Sequence, residues 1–234
     1  MTVGFTARVT WCSSERARAK AFLQTLVFLI LLGFALFGAA GRFDFAEFWV
    51  YIAIVAAISA VSLAILDADL IAERMRPGGR RVGWHFLPIT AVLFLHWAFA
   101  GLDRGRLHIG DTIPLALQVA GLIGFAAGWA LPVWAMQVNR YFSSIPRIQA
   151  ERGHRLVSAG PYRWVRHPGY AGALVVAVSS PLALGSWLSA FIVPVAAGLL
   201  AWRIVVEEKL LIRELPGYAE YARQVRYRLI PGLW

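Results

Sequence analysis

The sequence predicts an all-α fold: a polytopic integral membrane helical bundle of about six spans, ending in a short C-terminal hairpin and a cytoplasmic amphipathic tail. Three observations predict it. The 234 residues are 59% hydrophobic and only 15% charged, against roughly 25% charged residues in soluble domains. Apolar runs near the ~20 residues needed to cross a bilayer recur along the chain. Basic residues collect in alternate connections between those runs, the positive-inside pattern. No polar stretch is long enough to hold a core of its own. Residues 1–234 therefore read as one membrane domain, with a four-span part over 1–136 and a loop, hairpin and tail over 137–234.

Residues 1–20 do not read as part of a cleaved signal peptide: the apolar run that follows is long enough to span and no small-residue cleavage site ends it, so it reads as a retained span. Spans are expected at 21–41, 46–66, 84–101 and 112–136, then at 169–185 and 188–206. The last two are short and separated by Gly185-Ser186-Trp187, a tight hairpin in which Pro181 and Pro194 are each expected to kink or break a helix. Trp49, Trp84, Trp97, Trp187 and Trp202 fall at or near span ends, where indoles anchor at the interface. His85 and His96 read as interhelical hydrogen-bonding residues near membrane ends.

Net charge is +10, and Lys20 and Lys209 are the lysines among 23 basic residues. With six spans, one side holds twenty of those 23, and the other holds Arg42, Arg104 and Arg106. That asymmetry places both termini in the cytoplasm and the charge against anionic headgroups. No nucleic-acid motif or basic tail is present. The bias suits a bacterial inner membrane or an endoplasmic reticulum; the arginine-rich, lysine-poor composition points to the bacterial one. Cys12 is the single cysteine, so no thiolate cluster or intrachain disulfide is expected. No His or acidic pair has metal-ligand spacing, and no metal is expected.

Polar chemistry concentrates in the connection 137–168, which opens with Asn139, Arg140, Tyr141, Ser143 and Ser144. Gly160-Pro161-Tyr162 is a turn signal. Pro168 suits the first turn of the next helix, whose positive end would face the loop and attract a carboxylate or phosphate. Gly169 and Gly172 leave room for close approach of backbone or ligand. A second polar group, Arg203, Glu207 and Glu208, lies where the last span leaves the membrane. Arg203 and Glu207 are four apart and share a helix face; Glu208 points about a quarter turn away. A hairpin over 169–206 returns the chain to its starting side, so Glu207 and Glu208 are expected near His167 and Tyr170. Asp67, Asp69, Glu73 and Arg74 read as a cytoplasmic charge network, with a contribution on the cofactor side as the alternative, and His154 as a structural loop residue. The tail, with Leu210, Leu211, Leu215, Tyr218 and Tyr221 among charges and split by Pro216-Gly217, either lies on the membrane or folds over the loop.

At Leu156-Val157, Gly160-Pro161-Tyr162, Arg166-His167-Pro168-Gly169-Tyr170, Gly172, Glu207-Glu208, Leu211, Tyr218, Tyr221 and Arg228 to Pro231, the chain resembles the isoprenylcysteine carboxyl methyltransferase family of integral membrane methyltransferases. The likeness covers roughly 137–234; the first four spans match only as hydrophobic helices. The resemblance implies a cytoplasm-facing S-adenosylmethionine site capped by loop and tail. It assigns cofactor binding to Leu156, Val157, Gly160, Tyr162, Arg166, His167, Pro168, Tyr170, Glu207 and Glu208. Arg203 lies where the family keeps a basic residue near the acceptor, and Arg203 with Glu207 is the expected catalytic pair. Arg166 and the helix start suit the cofactor carboxylate, and Glu207 or Glu208 its ammonium or diol. The acceptor is expected to be lipophilic and to enter from the membrane: a carboxylate, or an amine or thiol whose proton His167 would take. Two rival readings remain at this level. One is an NADPH-dependent membrane reductase of the sterol-reductase type, which shares the Tyr-Arg-x-Ile-Pro ending. The other is a non-catalytic scaffold or transporter, which the lack of internal repeats disfavours.

Overall fold

The computed structural model describes residues 3–79 and 87–234. Helices dominate, and there is no strand among the described residues. Helix α1 (Val3–Gly33) runs on through a π turn at Phe34–Gly38. Helix α2 is Ala46–Ile65, α3 is Ala68–Met75, α4 is Leu87–Leu102 with a π turn at Asp103–Leu107, and α5 is Leu115–Val138. After a long loop come α6 (Pro168–Ala183), α7 (Ile192–Glu214) and α8 (Tyr218–Gln224).

Six apolar helices thus stand where six spans are expected. Four helical stretches are long and apolar enough to cross a membrane: Glu15–Gly38, Ala46–Ile65, Leu115–Val138 and Leu188–Glu214. Helix α6 has 16 residues, about 24 Å at 1.5 Å per residue, short of a full hydrocarbon core of about 30 Å. The outer faces are apolar: Ile30 is 70% and Phe34 76% exposed, as lipid-facing side chains are and water-facing ones seldom are.

Several boundaries differ from expectation for identifiable reasons. Helix α5 starts at Leu115, because Pro114 is extended and serves as its N-cap. The expected break at Pro194 does not occur. That residue sits in the first turn of α7, where its missing N–H costs nothing. Pro181 lies in the last turn of α6, next to the Gly185 turn at φ 72°. Helix α7 runs two turns beyond residue 206, so Glu207 and Glu208 are held on a regular helix. Helix α3 is an amphipathic piece between spans; Leu70 and Ile71 bury against Ala21, Leu63, Met136 and Phe142.

Trp49, Trp187 and Trp202 are exposed, but Trp97 is not an interfacial anchor. It is buried and donates its indole N–H to the Tyr51 hydroxyl at 3.2 Å. Trp84 and His85 lie outside the described residues. His96 does make interhelical bonds, with Ser180 Oγ at 2.7 Å and the Ser189 carbonyl at 2.9 Å.

The most extensive joint is between α5 and α6. A Cβ added at Gly121 would meet the Ala183 backbone nitrogen at 2.4 Å, and one at Gly172 would meet the Gly128 carbonyl at 2.5 Å. Gly124 lies equally close to Ser179. Membrane helices gain little from hydrophobicity against one another, so small residues that bring backbones together supply the packing. This joint sets the position of the α6 start, where the Arg-His-Pro sequence lies. Gly121→Val is therefore expected to lower the melting temperature in detergent by several degrees. Gly198→Ala, with nothing within 4 Å of the added carbon, should leave it unchanged or higher. Equal melting of the two variants would contradict the joint.

Candidate functional site

The loop 139–167 is built by its own hydrogen bonds. Asn139 Nδ2 donates to the Tyr162 hydroxyl at 3.0 Å, and Asn139 Oδ1 accepts from the Tyr141 amide at 2.9 Å. Gln149, fully buried, donates to the Tyr141 carbonyl at 2.6 Å. His154 stacks on Tyr141 at 4.5 Å. The charge network of α3 pins this loop: Arg147 pairs with Glu73 at 2.9 Å, Arg152 with Asp69 at 2.5 Å, and Ser144 donates to the Arg74 carbonyl at 2.8 Å.

The tail folds over the loop rather than lying apart from it. The amides of Arg166 and His167 each donate at 2.9 Å, to the carbonyls of Tyr227 and Arg228 respectively. Tyr221 donates its hydroxyl to the Tyr162 carbonyl at 2.8 Å. At the centre of this joint is the Glu208 carboxylate, which is buried. Its Oε1 accepts from Arg166 Nε at 2.5 Å and faces His167 Nε2 at 3.2 Å, and its Oε2 accepts from Arg228 Nε at 2.7 Å. Arg166 Nη1 meanwhile donates to the carbonyls of Val225 and Arg226 at 2.6 and 2.8 Å.

Glu207, the next residue on α7, faces a different way. Its carboxylate accepts from the Tyr170 hydroxyl at 2.5 Å, and that hydroxyl accepts from Arg203 Nε at 2.7 Å. Tyr170 thus bridges the two residues expected to share a helix face, and its ring stacks on His167 at 5.6 Å. Arg203 also donates to the Ser144 carbonyl. The hairpin has brought Glu207 and Glu208 to Tyr170 and His167.

A cavity of about 650 Å³ opens on this cluster, within the range of roughly 300–1,000 Å³ usual for small-molecule sites. It is lined by Leu156, Val157, Tyr162, Arg166, His167, Pro168, Tyr170, Arg203 and Glu207, all expected site residues. Gly160 and Glu208 do not line it. Gly160, at φ 58°, packs against Val138 and Trp134 and sets the turn; Glu208 holds the wall from behind. The cavity then follows α6 from Pro168 to Ser180, about 18 Å at 1.5 Å per residue. Its far end is apolar apart from the linked side chains of Tyr51, Trp97, His96 and Ser180.

Among the lining residues that escaped the expected site are two with polar groups of note, Arg74 and Tyr218. Arg74, on α3, stands over the Phe142 ring at 5.1 Å. Burial, and then the nearby positive charge of Arg203, hold its guanidinium below the ordinary value. The other is Tyr218, buried, whose hydroxyl has no hydrogen-bond partner among the described residues. Burial pushes the phenols of Tyr162, Tyr218 and Tyr221 upward, so all three stay neutral. In sequence Arg74 reads as one member of the charge network with Asp67, Asp69 and Glu73, and it is α3, itself unexpected, that sets it at the cavity. For Tyr218, the signal is its place in the resemblance.

Removing one partner of a buried ion pair costs about 3–5 kcal/mol, because the other charge is stranded. Glu208→Ala is accordingly expected to release the tail, seen as rapid tryptic cleavage after Arg223 and Arg226. Glu220→Ala, which removes the exposed Arg223 pair, should keep wild-type resistance. An intact tail in Glu208→Ala would show that the carboxylate is not the clasp.

Residues 120–213 match the family model of the isoprenylcysteine carboxyl methyltransferase (ICMT) family. A probable protein-S-isoprenylcysteine O-methyltransferase of Oryza sativa subsp. indica is 38% identical over 93 residues, covering 37% of this chain and 47% of that protein. Protein-S-isoprenylcysteine O-methyltransferase B of Arabidopsis thaliana is 33% identical over 93 residues, 37% of this chain and 45% of its own. The Schizosaccharomyces pombe enzyme is 30% identical over 96 residues, 38% and 39% of the two chains. The chain thus spans less than half the length of these relatives. The solved structure of the eukaryotic intramembrane Ras methyltransferase ICMT aligns with 100% of this chain and 88% of its own, with a TM-score of 0.54 and 15% identity. The alignment thus shows a shared fold, and the family's sequence pattern is present over residues 120–213.

Proposed function

We propose that this chain, which carries the isoprenylcysteine carboxyl methyltransferase sequence pattern over 120–213, is an S-adenosylmethionine-dependent membrane methyltransferase acting on a lipophilic acceptor. The observation that carries the reading is the continuity of one cavity. At one end it meets carboxylate, phenol and guanidinium groups; at the other it is an apolar channel among membrane helices. A water-borne charged donor and a membrane-borne acceptor can meet only in such a space.

The residues fit the cofactor. Leu156, Val157 and Leu211 offer apolar wall, Glu207 offers an acceptor for an ammonium or a diol, and the α6 start with Pro168 offers a positive helix end for a carboxylate. When bound, S-adenosylmethionine supplies an electrophilic methyl group on a sulfonium. His167, Tyr170 and Glu207 hold that end of the cavity in fixed orientation, each locked by a neighbour. Arg166 lines the cavity and, with Glu208 behind it, joins the tail to the wall so that water is excluded. Arg203, fixed by Tyr170 and Ser144, shares the cavity with Arg74. Two neighbouring cations favour an anion, so the acceptor group read here is a carboxylate. A carboxylate attacks without losing a proton, and alignment then supplies most of the acceleration. The site lies at the cytoplasmic face, in a bacterial inner membrane with both termini inside; a reporter fused after Trp234 should read cytoplasmic.

A ligand bound only by the folded state raises its melting temperature. S-adenosylhomocysteine is expected to raise that of the purified protein by several degrees and NADPH to leave it unchanged. Glu207→Gln should shrink the shift, and Arg203→Lys should keep it while lowering methyl transfer at least tenfold. A shift with NADPH and none with S-adenosylhomocysteine would overturn the proposal.

A further inference from the structure

The Tyr218 hydroxyl is the observation that nothing above explains. Tyr218 is 4% exposed and lines the cavity, and its hydroxyl has no hydrogen-bond partner among the described residues. A buried hydroxyl without a partner costs about 1–3 kcal/mol by mutational measure, so such groups call for an account.

The surroundings narrow what would complete it. Tyr218 packs with Tyr162, Leu215 and Tyr221, and Leu156 and Leu211 close the same cluster. Arg166 and Glu208 are already committed to each other, and the side chains packed around Tyr218 are neutral. A charged ligand group placed against this cluster would lose its hydration with no free counter-charge in return. A neutral heteroaromatic ring suits it: flat faces for the apolar walls and edge nitrogens for one neutral hydroxyl. Resting on the methyl-donor reading above, we infer that Tyr218 is a specificity-determining residue that hydrogen-bonds the adenine of the donor.

The hydroxyl donates to a ring nitrogen or accepts from the exocyclic amine, and the donor's amino-acid end lies toward Glu207 and the α6 start. The tail therefore contributes recognition as well as closure. Any group that Tyr218 recognises is presented only while the Glu208 clasp holds α8 against the wall.

The test compares wild type with Tyr218→Phe by titration calorimetry, using S-adenosylhomocysteine and 5′-methylthioadenosine, which keeps the nucleoside and lacks the amino acid. Melting without ligand is measured in parallel. Loss of one neutral hydrogen bond predicts roughly three- to tenfold weaker binding of both ligands. Removing an unpartnered hydroxyl predicts that ligand-free Tyr218→Phe melts at or above the wild-type temperature. Weakening for S-adenosylhomocysteine alone would assign the hydroxyl to the amino-acid end and overturn the inference. Equal affinities in the two proteins would overturn it while leaving the methyl-donor reading standing. A ligand-free variant that melts below wild type would mark the hydroxyl as structural, again overturning it. Failure of the wild type to bind either ligand would remove the methyl-donor reading and this inference together.

Discussion

Everything where the loop and tail meet in this protein depends on one buried carboxylate. Glu208 binds Arg166 and faces His167 from the α6 entrance, and it binds Arg228 from the tail. The same segments also meet through two apolar clusters, one around Tyr162, Tyr218 and Tyr221 and one around Ala171, Ile204 and Leu229. Burying a carboxylate is costly unless its oxygens are fully engaged. That condition makes the joint all-or-none: either the tail closes with both arginines in place, or a stranded charge opens it. Closure is also what completes the cavity wall, since Tyr218 and Tyr221 arrive on α8 with the tail.

Glu207 and Glu208 illustrate how a helix divides labour between neighbours. Successive residues point about 100° apart, so one acid faces the clasp and the other the cavity. Glu208 organises protein against protein. Glu207 is bonded to one phenol, and a carboxylate has capacity for several donors. The same division separates the arginines: Arg166 is tied to the tail, while Arg203 and Arg74 face the space where an acceptor would come. The chain builds its site from a rigid frame of α5 and α6, then shuts it with its last twenty residues.

Much of this was legible in residue order because a membrane leaves few options. Runs of apolar residues must be helices, and a hairpin over 169–206 must return Glu207 to Tyr170. What was not legible follows from packing. The α5–α6 joint depends on Gly121, Gly124 and Gly128 facing α6, a small-residue face that hydropathy counts simply as apolar. Trp97 looked interfacial from its distance to a span end, but a Tyr51 hydroxyl draws its indole inward. Glu208 was legible as an acid beside the site, yet its partners in the tail are set by how the tail folds. The lateness of the α7 end, the short α3, and hence Arg74 in the cavity, also required the three-dimensional arrangement.

The central claim is that the clasped end of the cavity holds the methyl donor next to Tyr170 and Glu207. A structure of the protein determined with S-adenosylhomocysteine tests it most directly. The account predicts the ligand inside the cavity, between the 156–162 segment, the α6 start and α8, with its sulfur on the side that opens toward the membrane channel. Ligand bound outside this cavity, or a cavity filled by lipid while S-adenosylhomocysteine binds elsewhere, would contradict it.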